Sequence, residues 1–228
     1  MAIAIEPMPD ALPAALRAAL AQVSFPTIGH FLEAGFVEPA IRAMVTPVKI
    51  VGRAVTVRIT APDSVLVHKA TELLEPGDAL VIDTGGDGRH APVGEMVALA
   101  ARERGAVAVV LDGVCTDIVE IREMGMPVFA RGTSVLTTKL HGLSSGAINT
   151  PVACGGVVVR PGDVVLGDDN GVLILPVDIA QAVVARARAS DEQEPATRDF
   201  LRGGGSLPEL TGANRTVEAL LGASEPTD

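Results

Sequence analysis

Tryptophan and tyrosine are absent from this chain of 228 residues, which leaves five phenylalanines as its only aromatic residues besides histidine. Most platforms on which bases or sugar rings stack are therefore missing, and a small polar ligand suits the composition better. Basic residues are also scarce: 18 Lys and Arg stand against 28 Asp and Glu, a formal charge of -10. Such a chain repels phosphate backbones, so direct binding of DNA or RNA is disfavoured. Cysteine occurs twice. Cys115 and Cys154 form no CxxC pair and no even framework of bridges, so a zinc site and a secreted disulfide scaffold both lack support, and the two read as reduced thiols. No apolar run approaches 18 residues, and the N-terminal MAIAIEPMPDALPAALRAAL has acidic residues early and no basic stretch before an apolar core. A soluble, cytoplasmic protein without membrane contact is expected.

What the chain does have is apolar mass: 48% hydrophobic residues and a mean hydropathy of +0.38, enough for a sizeable core in a single domain over residues 1–228. Leu12, Leu16 and Leu20 recur every four residues after Asp10, a residue suited to an N-cap, which predicts a helix over about 10–23 and a second short one near Thr27. From Lys49 to Thr60 the period changes to two, the signature of a strand. A helix opening near Ser64, a turn at Pro76-Gly77-Asp78 and an apolar strand over 79–83 follow, and the glycine-rich loop 85–88 leads into a helix beginning at Gly94. A strand at 106–112, a helix at 117–124 and a strand at 127–130 continue the alternation, which implies parallel pairing by crossovers. Beyond residue 150 strands and turns dominate, with Asn170-Gly171 suited to a hairpin. Pro76-Gly77-Asp78 and Pro161-Gly162-Asp163 each lead by five residues to an aspartate, a weak repeat that reads as two similar turns feeding buried strands. A last helix over about 178–202, interrupted near Pro195, precedes a frayed tail at 222–228.

Two strand-to-helix junctions carry the candidate chemistry, because ligands of open α/β folds bind at the carboxyl ends of strands. In Asp83-Thr-Gly-Gly-Asp-Gly-Arg-His-Ala-Pro-Val-Gly94, loop amides and a helix start are suited to a carboxylate or phosphate, or form an ordinary flexible loop. The glycines match neither GxGxxG nor a P-loop. In Asp112-Gly-Val-Cys-Thr-Asp117, Asp117 suits Mg²⁺ or Mn²⁺, ions that keep several waters and need one or two carboxylates, or else it is a helix N-cap. Cys115 stands in the same loop, where a thiol nucleophile with His90 or His30 as partner competes with a small buried thiol. The histidines at 30, 68, 90 and 141 lack ligand spacing. Arg131, Lys139 and Arg160 are scattered cations, any of which could neutralise an acidic substrate, and Glu192 and Glu194 read as a solvated helix face.

The succession GEMVALAARERGAVAVVLDG, TDIVEIREMGMPVFARG and GGVVVRPGDVVLGDDNGVLILP resembles the RraA-like family, which contains the class II pyruvate aldolases, over about residues 25–190. That resemblance implies an α/β/β sandwich of the swivelling-domain-like type, assembled as a homotrimer or homohexamer with its active site in a cleft between subunits. It also implies that Gly94, Glu95, Met96 and Val97 occupy the stretch whose amides meet the substrate, that Glu95 helps hold metal-bound water, and that Asp117 binds the divalent metal. The family's Arg-Asp pair reads Thr116-Asp117 here, so the arginine that contacts substrate is missing, and Arg89 or Arg131 is a candidate replacement. The implied chemistry is retro-aldol cleavage of a 4-hydroxy-2-oxo acid to pyruvate, with oxaloacetate decarboxylation through the same enolate, by a Mg²⁺ or Mn²⁺ lyase with altered specificity. A Glu192 from a neighbouring subunit would complete its surroundings. The alternative is a non-catalytic regulator of the kind that binds and inhibits ribonuclease E.

Overall fold

A computed structural model describes residues 3–143 and 145–222, which fall into two compact units divided at residue 187. The first unit opens with β1 (Ala4–Ile5), α1 (Ala14–Ala21), α2 (Phe25–Ile28) and β2 (Arg42–Ala43). Helix α1 buries Leu16 and Leu20 as their spacing requires, but it begins at residue 14 and not at 10. Pro13 is the reason: a proline ring disfavours helical backbone at the residue before it, so Leu12 and Asp10 stay outside the helix and Asp10 caps nothing.

The alternating segment follows as β3 (Lys49–Arg58), α3 (Val65–Leu73), β4 (Asp78–Asp83), α4 (Glu95–Glu103), β5 (Ala108–Asp112), β6 (Val114–Cys115), α5 (Ile118–Met124) and β7 (Val128–Ala130). As expected, β3, β4, β5 and β7 lie side by side and parallel, with the three helices as crossovers. The chain then forms β8 (Gly132–Thr133), β9 (Ala147–Ile148), β10 (Val152–Cys154), β11 (Val157–Val159), β12 (Val164–Asp168) and β13 (Gly171–Leu175). Asn170-Gly171 closes the β12–β13 hairpin, and β12 extends the main sheet by pairing antiparallel with β3.

Side-chain alternation sorts the core into layers. Val55, Val57, Leu80, Ile82, Val109 and Leu111 face α3, α4 and α5, meeting Val67, Ala98 and Ile121. The residues between them, Ala54, Ala79, Val81, Ala108 and Val110, face the β10–β11 ribbon and meet Val152, Cys154 and Val159. Helices on one face and a second β layer on the other make the α/β/β sandwich, and burial on both faces explains why β4 and β5 read as unbroken apolar runs.

The two Pro-Gly-Asp turns are built alike. In each, the aspartate carboxylate accepts the N–H of the residue three before it, Glu75 for Asp78 and Arg160 for Asp163, both at 2.8 Å. Their glycines have φ of +95° and +88°, a region that only glycine adopts readily. Both turns feed strands that flank β3, one parallel and one antiparallel. Asp78 has a second duty, since Arg53 of β3 reaches it through Nε at 2.7 Å and Nη2 at 3.1 Å, and both side chains are buried. Hydrogen bonding to Asp78 raises the Arg53 pKa above its usual value.

Helix α6 (Val177–Asp191) leads into the second unit, which holds α7 (Glu194–Arg202), α8 (Leu207–Thr211) and α9 (Ala213–Gly222). The single helix expected to 202 is thus two, because Pro195 starts α7 within its first turn, where a missing N–H costs nothing. Helices α8 and α9 were not expected. The tail 223–228 lies outside the described residues.

Removing one partner of a buried pair strands the other charge, which costs about 3–5 kcal/mol. Arg53→Ala should lower unfolding stability by that amount in urea denaturation, and Arg53→Met combined with Asp78→Leu should recover part of the loss. An exposed pair would show a change below about 1 kcal/mol.

Candidate functional site

Asp117 has φ 51° and ψ 45°, the left-handed region that aspartate tolerates better than most residues. It stands at the N-cap position of α5, yet its side chain does not cap that helix. The carboxylate reaches back to the preceding helix instead, where its Oδ2 accepts the N–H of Glu95, the first residue of α4, at 3.0 Å. Gly94 permits this approach, since a Cβ at residue 94 would stand 2.3 Å from Asp117 Oδ2 and 2.7 Å from Thr116 Cγ2. The Thr116 hydroxyl lies 3.2 Å from Asp117 Oδ1. A bond from the Thr116 N–H to the Val93 carbonyl, 2.9 Å, holds the two segments together beneath the site. Gly94, Glu95, Thr116 and Asp117 therefore meet, as their order in the sequence suggested. Met96 and Val97 share the first turn of α4, where amides have no acceptor within the helix.

Gly94, Met96, Val97, Thr116 and Asp117 line one side of a cleft of about 220 Å³. Its other side comprises Ser64 and His68 at the start of α3 and Thr137 to Leu140. The stretch 137–143 has no helix or strand periodicity, and nothing in the sequence linked it to Asp117. It is fixed by pairing with residues 60–64 and 91: the Lys139 N–H donates to the Pro62 carbonyl at 2.8 Å, the Ser64 N–H to the Lys139 carbonyl at 3.0 Å, and the Thr138 N–H to the Ala91 carbonyl at 3.1 Å. Buried Asp63 completes the attachment, accepting the N–H groups of Val65, His141 and Leu143 at 3.1, 3.3 and 2.6 Å. Burial alone would raise its pKa, but these three bonds, together with the nearby His141, hold the carboxyl below its usual range.

Other candidates lie elsewhere. In the glycine-rich loop the chain's own carboxylates take the amides: Asp83 accepts from Gly85 at 2.8 Å, and Asp87 from Arg89 at 2.7 Å and His90 at 3.2 Å. Asp87 also meets the His90 ring at 2.6 Å. The loop is therefore internally satisfied at these amides and does not offer them to an external anion. Cys115 is fully buried and its pKa is raised, chiefly by burial, so the thiol-nucleophile alternative loses its basis. Arg131, one expected replacement for the missing arginine, is held by Asp112 at 2.6 Å and Glu38 at 2.8 Å and does not line the cleft; nor does Arg89. The cation that does line it is Lys139. Glu95 contributes its backbone to the site, while its side chain is half-buried and is not among the lining groups. Glu192 belongs to the second unit and pairs with Arg188 at 3.1 Å.

Among the described residues no group of three or more His, Cys, Asp or Glu side chains is placed to hold an ion. Asp117 nonetheless fits Mg²⁺ or Mn²⁺: it is exposed, each carboxylate oxygen has two lone pairs, and among the described residues one N–H and one hydroxyl engage them. Such ions accept one protein carboxylate with water at the other positions.

Over residues 27–174 the chain matches the RraA-like family profile described as Aldolase/RraA. A protein of Halalkalibacterium halodurans, provisionally named 4-hydroxy-4-methyl-2-oxoglutarate aldolase, is 36% identical over 148 residues, 65% of this chain and 70% of that protein. Among solved structures, Streptomyces coelicolor RraAS2, described as an unusual member of the RNase ES inhibitor RraA protein family, superposes with a TM-score of 0.72 at 28% identity, covering 85% of this chain and 98% of that one. The RNA-processing inhibitor RraA from Thermus thermophilis superposes with a TM-score of 0.59 at 30% identity, covering 65% of this chain and 88% of that one.

A depressed carboxyl pKa stabilises the fold above the unfolded value of about 3.9, and that stabilisation disappears as pH falls through the folded pKa. The melting-temperature gap between wild type and Asp63→Asn should therefore be widest near neutral pH and shrink as the pH drops below about 4. A gap independent of pH would show that the Asp63 charge does not fasten the 137–143 stretch.

Proposed function

The chain belongs to the RraA-like family, and from that premise we propose that it is a Mg²⁺- or Mn²⁺-dependent carbon–carbon lyase acting on a small 2-oxo (di)carboxylate. The reaction is retro-aldol cleavage of a 4-hydroxy-2-oxo acid, oxaloacetate decarboxylation, or both, and specificity is altered because Thr116 stands where the family has arginine. The observation that supports this reading is the contact between Asp117 and the α4 N-terminus, which brings an exposed carboxylate and a set of backbone donors to one cleft.

Each residue has a distinct role. Asp117 anchors the ion, and its orientation is fixed by the Glu95 N–H and by the close approach that Gly94 allows. When bound, the divalent ion supplies Lewis-acid stabilisation of negative charge developing on the 2-oxo group. The Met96 and Val97 amides, at the positive end of the α4 dipole, hold a substrate oxygen without reorganising as charge develops. Glu95 is assigned to orienting bound water. Thr116 donates a hydrogen bond but carries no charge. Losing a charged hydrogen-bonding partner costs about 2–5 kcal/mol, or roughly 30-fold to several-thousand-fold in rate, so the natural substrate is expected to differ from that of arginine-bearing relatives.

The second reading, a protein-binding regulator without catalysis, is favoured by Thr116 itself and by the similarity to the two RraA structures whose descriptions name inhibition. Pyruvate release from oxaloacetate and from 4-hydroxy-4-methyl-2-oxoglutarate separates the two. Wild type should release pyruvate with Mg²⁺ or Mn²⁺ but not with chelator, Asp117→Ala should not, and Thr116→Arg should gain about 30-fold or more. Silence of all three proteins with metal present contradicts the lyase and favours the regulator.

A further inference from the structure

We propose that Lys139 receives the carboxylate of the incoming small 2-oxo acid in the Asp117 cleft, taking over the anchoring charge that Thr116 cannot supply. This rests on the reading of the cleft as a substrate site and goes beyond it by assigning the missing cation.

Three observations lead to Lys139. Its backbone is fixed from both sides, with the N–H on the Pro62 carbonyl and the carbonyl on the Ser64 N–H, so its side chain is presented at the cleft from a rigid base. The ammonium itself touches only neutral groups, the Thr137 carbonyl at 3.2 Å and the Thr137 hydroxyl at 3.0 Å. Arg131, by contrast, is engaged by Asp112 and Glu38, and neither Arg131 nor Arg89 lines the cleft. In a chain of net charge -10, an ammonium with no acidic partner among the described residues, on the wall of a cleft, is a local attractor for a small anion.

The chemistry of the group narrows the ligand. An ammonium is a compact point charge with three donors and lacks the planar fork with which arginine grips a carboxylate in two places. One carboxylate oxygen bound to Lys139 leaves the 2-oxo group free to turn toward Asp117 and the α4 amides. Pro92, Met96, Val97 and Leu140 supply the apolar remainder of the wall, which suits a short carbon chain.

Direct binding of pyruvate, titrated by calorimetry in the presence of Mg²⁺, tests the assignment without requiring turnover. Lys139→Met keeps the aliphatic stem and removes the charge. It should weaken pyruvate binding about 10-fold or more, while Lys139→Arg stays within a few-fold of wild type and both variants keep the wild-type melting temperature. Wild-type affinity in Lys139→Met, or no pyruvate binding by wild type, overturns the proposal. The proposed function fails separately: loss of binding in Lys139→Met alongside a wild type that releases no pyruvate from either acid leaves the anchor standing and removes the lyase. Metal-dependent turnover with unchanged binding in Lys139→Met does the reverse.

Discussion

One hydrogen bond organises the site: the Asp117 carboxylate on the N–H of Glu95. It joins the end of the β5–β6 segment to the start of α4, and it is possible because residue 94 lacks a side chain. A carboxylate at a helix N-terminus is favourable in itself, worth about 0.3–1 kcal/mol in an exposed setting. The same contact satisfies one of the amides that every helix start leaves open, and it holds the acid in one orientation with lone pairs to spare. Asp117 therefore does not cap the helix it opens, as the simple reading of its position expects, but the preceding one, and its carboxylate stays exposed at the cleft.

The scaffold beneath explains why that bond can be so local. Parallel strands buried on both faces place successive strand-to-helix junctions along one edge of the sheet. Arg53 and Asp78 fasten β3 to β4 at the opposite edge, near the Pro-Gly-Asp turn. With the sheet fixed, the remaining freedom lies in the connections. The stretch carrying Lys139 gives up that freedom to a buried aspartate and a short ladder of backbone bonds. Neither wall of the cleft depends on a long loop finding its own conformation.

Most of the sheet was legible in the sequence because its cause is local. The unbroken apolar run 79–82 records burial on two faces. The alternation at 55–60 reads as burial on one face, but it belongs to a strand buried on both from Ile50 to Val57, where the Thr56 hydroxyl is covered and donates to the Thr150 carbonyl at 2.6 Å. The two Pro-Gly-Asp turns announce their own geometry through proline, a positive-φ glycine and a carboxylate that folds back on its own chain. Boundaries were less legible, since Pro13 overrode the cap offered by Asp10 and Pro195 began a helix where it was expected to disturb one. At the site, the Gly94 to Val97 and Thr116-Asp117 segments could be placed at neighbouring junctions, but the target of the Asp117 carboxylate could not, because the helix it caps starts 22 residues earlier. Lys139 was visible only as a scattered cation. Its place in the cleft follows from partners 77 residues earlier in the chain, at Pro62, and no periodicity encodes such a pairing.

The central claim, that Asp117 binds a divalent ion while capping α4, is tested most directly by titrating Mn²⁺ against wild type and Asp117→Asn and following free ion by electron paramagnetic resonance. The asparagine oxygen can still accept the Glu95 N–H, so the cap survives and only the charge is lost. The account predicts Mn²⁺ binding by wild type, its loss in Asp117→Asn, and nearly equal melting temperatures for the two proteins without metal. Equal Mn²⁺ binding by both proteins, or none by wild type, would contradict it and leave Asp117 as a helix cap alone.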